Sequence, residues 1–285
     1  MGICDQPANY RRAQVIQNDG FNVARWPELT EELDRWHDAG AIATFWWRDD
    51  DAVDDTPQFD VLLKHVGAIP LAVAVISGRA TRNLAKRLAK HASIVVLQHG
   101  WRHDNHTAGG YSEYPASRPV EDVSQELAEG RRVLTDLFGP QALPVFAPPW
   151  HGFDACFLPL LRPNGLMGIS RKGPRPDVFA TQGVLQVNTH ASLIEWSMPP
   201  SFGDDGPYLD QIIDHLRGRR LGRYDVTEAT GLLTHHLVQN DKSYAFISRL
   251  LAVVSKHPAS VWMEAAKLFA HPAVMEESAE RIGPN

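Results

Sequence analysis

The chain has 285 residues, 44% of them hydrophobic, and carries 34 Asp and Glu against 28 Lys and Arg, a net charge of −6. The acidic balance argues against nucleic acid as a partner, and no apolar run approaches the ~18 residues that a membrane span needs. The two cysteines, Cys4 and Cys156, form no C-x-x-C pair and the N-terminus shows no apolar signal core, so a reducing, cytoplasmic setting is expected.

Apolar runs alternate with amphipathic segments along the chain. Pro27-Glu28-Leu29 opens a helix that places Leu29, Leu33 and Trp36 on one face and stops at Gly40. Ile42 to Trp47 reads as a strand, and Thr56-Pro57 starts a helix bearing Phe59, Leu62, Leu63 and Val66. Leu71 to Ile76 is a second strand, Thr81 to His91 a helix, and Ile94 to Leu97 a third strand. A loop with Gly109, Gly110, Pro115 and Pro119 precedes a helix from Glu121 to Phe138. Val145 to Ala147, Leu166 to Ile169, Val184 to Val187 and Leu232 to Leu233 are short strands. Tyr208 to Leu216 and Ser243 to Val254 are further helices, and Arg217, Arg219, Arg220 and Arg223 read as a solvated helix end.

This alternation implies an α/β fold with a parallel sheet buried on both faces. No linker-like stretch divides the chain, so one domain over 1–285 is expected, with its core at about 40–265. A closed or nearly closed barrel suits the strand count. An open doubly wound sheet is the alternative, although no Gly-rich phosphate loop follows the first strand.

Residues with chemistry gather where strands end, which is where parallel α/β sheets place their sites. His99, His103 and His106 follow the third strand directly. His99 and His103 are four apart and face the same way if the chain coils there. Arg48-Asp49-Asp50-Asp51 closes the first strand. Two imidazoles and a carboxylate form a ligand set for zinc or ferrous iron, with His106 a third participant or an orienting partner. Strand alternation sends Asp49 and Asp51 to one side and Asp50 to the other, unless the strand breaks. Phe146-Ala147-Pro148-Pro149-Trp150 is a stiff segment that could form a groove wall with Trp150 stacked on a sugar face. Leu232-Leu233-Thr234-His235-His236 ends another strand, and one histidine of the pair should point into the barrel mouth as a general acid.

These four segments, in this order, resemble the polysaccharide deacetylase superfamily, the NodB-like family 4 carbohydrate esterases. The family motifs are Thr-Phe-Asp-Asp, His-Ser/Thr-x-x-His, Arg-x-Pro-Pro and Leu-x-His. Here the second is matched by His99-Gly100-Trp101-Arg102-His103, with Gly for Ser/Thr, and the last by Leu233-Thr234-His235. The third is matched by Phe146-Ala147-Pro148-Pro149, without the Arg; Arg48 is the candidate to replace it. The resemblance implies a distorted (β/α)7 barrel and one divalent metal, held by Asp51, His99 and His103. Zinc suits these ligands best, and cobalt, manganese or iron would also serve. It implies Asp50 as base and His235 as acid, with Asp49 the alternative if the register is one residue earlier. Pro148, Pro149, Trp150, Leu233 and Trp101 are the implied substrate contacts.

The activity implied is hydrolysis of an N-acyl, chiefly N-acetyl, group on an amino sugar or saccharide. Two alternatives stay open: another C–N hydrolase, of deformylase or amidase type, on a small cytoplasmic substrate, or a saccharide-binding relative without turnover.

Overall fold

The computed structural model describes residues 25–196 and 200–270; Cys4 and the two ends of the expected 1–285 domain lie outside them. Helix α1 (Trp26–Asp38) buries Leu29, Leu33 and Trp36, the face its spacing predicts. Strand β1 (Ala43–Ala52) leads into α2 (Pro57–Val66), where Thr56 Oγ1 caps the helix by accepting the Phe59 N–H. Strand β2 (Leu71–Val75), helix α3 (Arg82–Leu88) and strand β3 (Ile94–Gln98) follow. After a long loop come α4 (Val120–Phe138), β4 (Ala142–Phe146) and β5 (Gly168–Ile169). The chain continues through β6 (Phe179–Thr181), β7 (Val184–Gln186), β8 (Ala191–Ser192) and α5 (Asp205–Arg220). It ends with β9 (Thr230–Thr234), α6 (Asp241–Lys256), β10 (Ser260–Trp262) and α7 (Ala265–Leu268).

The strands form one sheet in the order β6-β7-β5-β4-β3-β2-β1-β9-β8, with β10 added beside β1. Every pairing is parallel except β6 with β7. The sheet curls back on itself through a single stretch of chain. Residues 184–189 bond to the β5 side, with Val187 N–H on Ile169 O at 3.1 Å and Thr189 N–H on Arg171 O at 3.0 Å. The same stretch then crosses to β9, with His190 N–H on Gly231 O at 2.7 Å and Leu193 N–H on Leu233 O at 3.1 Å. With β7 and β8 taken as one stave, and with the antiparallel β6 and the branching β10 set aside, seven staves curl around the core, the distorted (β/α)7 barrel expected from the sequence. Gly231 sits at the crossing, where a Cβ would lie 2.5 Å from both Asn188 O and Trp46 Nε1.

Alternation along β1 explains its composition. Phe45 and Trp47 join the apolar layer under the helices, whereas Trp46 joins Ala72, Ala74, Leu97 and Val145 inside the barrel. The small alanines leave room for the indole, whose Nε1–H donates to Asn188 O at 2.9 Å. One expectation fails at the end of α5. Arg219 is not solvated but buried, its guanidinium bonded to Thr44, Val226 and Thr230 and lying over the Trp36 ring at 4.9 Å. The arginines at 219 and 220 thus tie α5 to the layer beneath, Arg220 by an ion pair with buried Glu32 at 2.7 Å.

Candidate active site

Strand β1 runs five residues past the predicted strand end at Trp47, carrying Arg48, Asp49, Asp50 and Asp51 before it ends at Ala52. Alternation holds for the first two acids. Arg48 and Asp50 face the barrel interior beside Ser170, and Asp49 faces the helix layer with His236 and Thr234. At Asp51 the strand breaks. Its φ is 71°, and the β1–β2 register shifts between Asp49 and Ala52. Alternation alone would send Asp51 outward with Asp49, but the irregularity turns it inward beside Asp50. The two carboxylates line one cavity of about 420 Å3 at the carboxyl ends of the strands.

Asp51 Oδ1 lies 3.1 Å from His99 Nε2 and 3.3 Å from His103 Nε2. The ligand atoms of the three residues all fall within 4.8 Å of one another. His99 Nδ1 is 2.8 Å from Ala147 O, a carbonyl that can only accept, so Nδ1 carries a proton and the neutral ring leaves a lone pair on Nε2. That lone pair faces a carboxylate oxygen. Two acceptors at 3.1 Å need a proton or a cation between them, and a divalent metal fits this donor set. Burial pushes the Asp51 carboxyl up, but the hydrogen bond and charge of His99, then His235 and His103, hold it well below the usual range. Burial and His99 lower His103 to about 4, leaving it neutral at pH 7 and fit to ligate.

His99 and His103 do not meet by helical spacing, since the segment is irregular. Gly100 (φ 61°) and His103 (φ 62°) both take left-handed backbone and swing the second imidazole back toward the first. Glu113 holds this turn, its carboxylate accepting the N–H of Trp101 (3.2 Å), Arg102 (2.7 Å) and His103 (2.9 Å). A Cβ on Gly100 would overlap Glu113 Oε2 and lie 2.7 Å from Pro149 Cγ, which explains glycine where the family motif has Ser or Thr. Nothing in the sequence around Glu113, one acid in a Gly- and Pro-rich loop, marks it.

Asp50 is buried and gripped by Arg48, with Nε to Oδ1 at 2.8 Å and Nη2 to Oδ2 at 3.1 Å. Arg48 Nη1 also donates to Ser170 O and Oγ. Burial drives the Asp50 carboxyl up, yet the Arg48 guanidinium, followed by His99 and His235, brings it below its ordinary value. Arg48 is thus the buried cation paired with Asp50, and Ser170 anchors it.

His235 lines the cavity, its ring edge-on to Trp196 at 4.9 Å, and its Nδ1 is buried with no partner among the described residues. Burial lowers its pKa, opposed by Asp50, Asp51 and Asp49. His236 points the other way, its Nδ1 2.5 Å from Asp49 Oδ1, so the adjacent pair splits across the sheet as alternation predicts.

The remaining predicted residues divide. Trp150 lines the cavity at φ 52° and packs on His103 with ring centroids 4.0 Å apart; Pro148 and Pro149 are buried behind it and hold the exit from β4. Leu233 is wholly buried and not part of the cavity wall. Two further expected residues also stand away from the cavity. Trp101 packs over Gly78 and toward α4, where it lines a different cleft with Arg118 and Glu126, because Gly100 turns the chain between it and His99. His106 is exposed on the loop and, among the described residues, only its backbone is engaged, with Ser112 O. Five lining residues escaped the sequence reading: Tyr111, His151, Lys172, Ser192 and Trp196. His151 was within reach of it, next to Trp150. Among the described residues every non-glycine with positive φ, namely Asp51, His103, Trp150 and His151, lines this cavity. Such strain persists where surrounding structure enforces it and clusters at functional sites.

A second buried group, His190, His215 and Glu228, also has its ligand atoms within 4.8 Å. Its hydrogen bonds do not suit a metal. Gly231 N–H donates to His190 Nδ1 at 2.9 Å, so the neutral ring carries its proton on Nε2, the atom that faces Glu228 Oε2 at 3.4 Å. Glu228 also accepts from Asn188 N–H and Arg175 N–H. This group pins the segment that closes the barrel.

No protein-family model matches the chain, and no curated protein sequence matches it. Solved structures do. A polysaccharide deacetylase assignment from Mycobacterium smegmatis superposes with TM-score 0.53 at 14% identity, covering 86% of this chain and 93% of that one. The fold is that of the polysaccharide deacetylases. A CE4 esterase from Streptococcus mutans gives TM-score 0.51 at 14% identity, with coverage of 82% and 90%. A deacetylase solved with substrate gives 0.50 at 13%, with coverage of 81% and 92%. The deacetylase-fold barrel expected from the sequence is thus observed, with its cavity at the strand ends where the four motifs converge.

Proposed function

We propose that this protein is a metal-dependent hydrolase that removes an N-acyl group, chiefly acetyl, from an amino sugar. The observation that carries this reading is the convergence, in one cavity, of the Asp51–His99–His103 ligand set with Asp50 and His235. Zinc suits the ligand types best, with cobalt, manganese and iron as alternatives. When bound, such an ion acidifies water and polarises the acyl carbonyl.

The protein groups supply the rest. Asp50, held ionised by Arg48, accepts the proton of the attacking water. A carboxylate with so low a pKa is a weak base, so it depends on water that is already acidified. His235 delivers a proton to the leaving amine. Burial favours its neutral form, and the charge developing on the acyl oxygen adds to the pull of Asp50 and Asp51 toward the imidazolium. Trp150 supplies an apolar wall against a sugar face.

Two alternatives share the site. A formyl or other small acyl group would use the same machinery on a different C–N bond, and the cavity of about 420 Å3 is at the small-molecule end of the usual range. A saccharide-binding protein without turnover would have no need of the Arg48–Asp50 pair. Release of acetate and formate should be measured side by side on N-acetyl and N-formyl glucosamine with metal-loaded protein. Acetate release lost in both Asp50→Asn and His235→Ala supports the proposal; formate release alone selects the first alternative, and no release with intact sugar binding selects the second.

A further inference from the structure

His99 and His103 owe their positions to different parts of the fold. His99 is fixed by its neighbouring strands: its N–H donates to Val75 O at 2.8 Å, and its Nδ1 lies 2.8 Å from Ala147 O. His103 stands four residues further on, past the end of β3 at Gln98, so its place is set by the turn through residues 100–102. That turn is held along both sides of its backbone. On the carbonyl side, the buried Ser77 Oγ donates to Gly100 O at 2.6 Å, and Gly78 N–H donates to Trp101 O at 2.7 Å. A Cβ on Gly78 would lie 2.8 Å from Trp101 O, so this close approach needs glycine. On the N–H side, Glu113 accepts from Trp101, Arg102 and His103. Glu113 is 1% exposed and forms no ion pair among the described residues; Arg118, five residues on, pairs with Glu126. A carboxylate buried without a cation is tolerated because three N–H groups satisfy it. None of these bonds uses an imidazole atom, so they shape the turn and leave the ligand nitrogens free to bind.

We propose that Ser77 and Glu113 are positioning residues that present His103 to the metal, so that two side chains outside the ligand set fix the affinity of the site. The inference rests on the reading above for its ligands, Asp51, His99 and His103. Groups that orient metal ligands are typically worth about 10–100-fold in metal affinity.

The test is the zinc dissociation constant, read by competition with a chelating dye. It is measured for the wild type, Ser77→Ala, Glu113→Ala and Glu113→Gln, each alone and combined with His103→Ala. Each alanine variant should weaken zinc by about 10–100-fold. Glu113→Gln should fall between, since its amide oxygen accepts N–H groups and its amide nitrogen does not. In the His103→Ala background the same changes should add no more than about twofold, because the ligand they position is gone. The visible spectrum of cobalt-loaded Glu113→Ala should depart from the wild type toward that of His103→Ala, which a general loss of stability would not produce. If Glu113→Ala does not fold, Ser77→Ala carries the same cycle and the same spectrum. An unchanged dissociation constant in either alanine variant, an equal loss with and without His103, or a wild-type cobalt spectrum overturns the proposal. Zinc binding without acetate or formate release fails the hydrolase reading alone and leaves this test intact; a wild type that binds no zinc overturns both.

Discussion

Arg48→Met removes the cation on which the proposed base depends, and the structure sets the size of the effect. Arg48 is fully buried and donates two hydrogen bonds to Asp50, at 2.8 and 3.1 Å, and two to Ser170, at 3.0 and 2.6 Å. Its loss strands a carboxylate that is only 1% exposed. Breaking a buried pair from one side costs about 3–5 kcal/mol. The cost depends on pH with a definite sign. In the wild type the Asp50 pKa is lowered, so its contribution to stability is fully present above the unfolded value of about 3.9 and is lost as pH falls through the lower folded value. Without Arg48 the folded pKa moves up, so the stability difference between the two proteins grows from acid toward neutral pH. Urea unfolding at pH 7 and near pH 4.5 should show the larger loss at pH 7. Arg48→Lys should fall between, since it keeps charge but loses the two-pronged grip, and Asp50→Asn should relieve much of the Arg48→Met loss in the double variant. A loss under about 1 kcal/mol, typical of a solvated pair, or an equal loss at both pH values would refute this reasoning.

Other consequences follow from individual contacts. His235→Ala should cost kcat about 10²–10⁴-fold with metal retained, and less on an aryl acetate whose leaving group needs no proton; equal losses on both substrates would argue against an acid role. Asp49→Asn should be destabilising by about 1–3 kcal/mol in thermal or urea unfolding, because Asp49 accepts from Thr234 Oγ1 and from both His236 N–H groups. Gly100→Ala should weaken metal binding in a titration with zinc, since its Cβ would collide with the Glu113 carboxylate that shapes the His103 turn. Burial lowers His215 to about 4, so the unfolded chain takes up a proton first as pH falls below about 6.5. The protein should lose stability from pH 7 toward pH 4, and His215→Gln should flatten that slope.

The parts of the site legible in the sequence are those whose chemistry is local. Acids and histidines directly after apolar runs announce strand ends, and alternation places His235 opposite His236 and Asp50 opposite Asp49. What stays hidden depends on backbone conformation or on distant chain. Asp51 joins Asp50 only because of its left-handed φ and the register break at β1–β2, which no spacing rule anticipates. Glu113 reaches the His99–His103 turn from a loop with no periodic pattern. Trp101 is misplaced by the sequence because the turn at Gly100 aims its ring at Gly78. The same limit applies to the fold. Strands β6, β8 and β10 have only two or three residues each, too short for periodicity to register, yet β8 completes the barrel. Arg219 looked solvated because its burial depends on Thr44, far away in sequence.

The most direct test is the location of metal by anomalous scattering from a crystal grown with zinc. The account predicts one peak, bonded to Asp51, His99 Nε2 and His103 Nε2, and none between His190, His215 and Glu228. A zinc-replete crystal with no peak at the first position, or with its metal at the second, would contradict it.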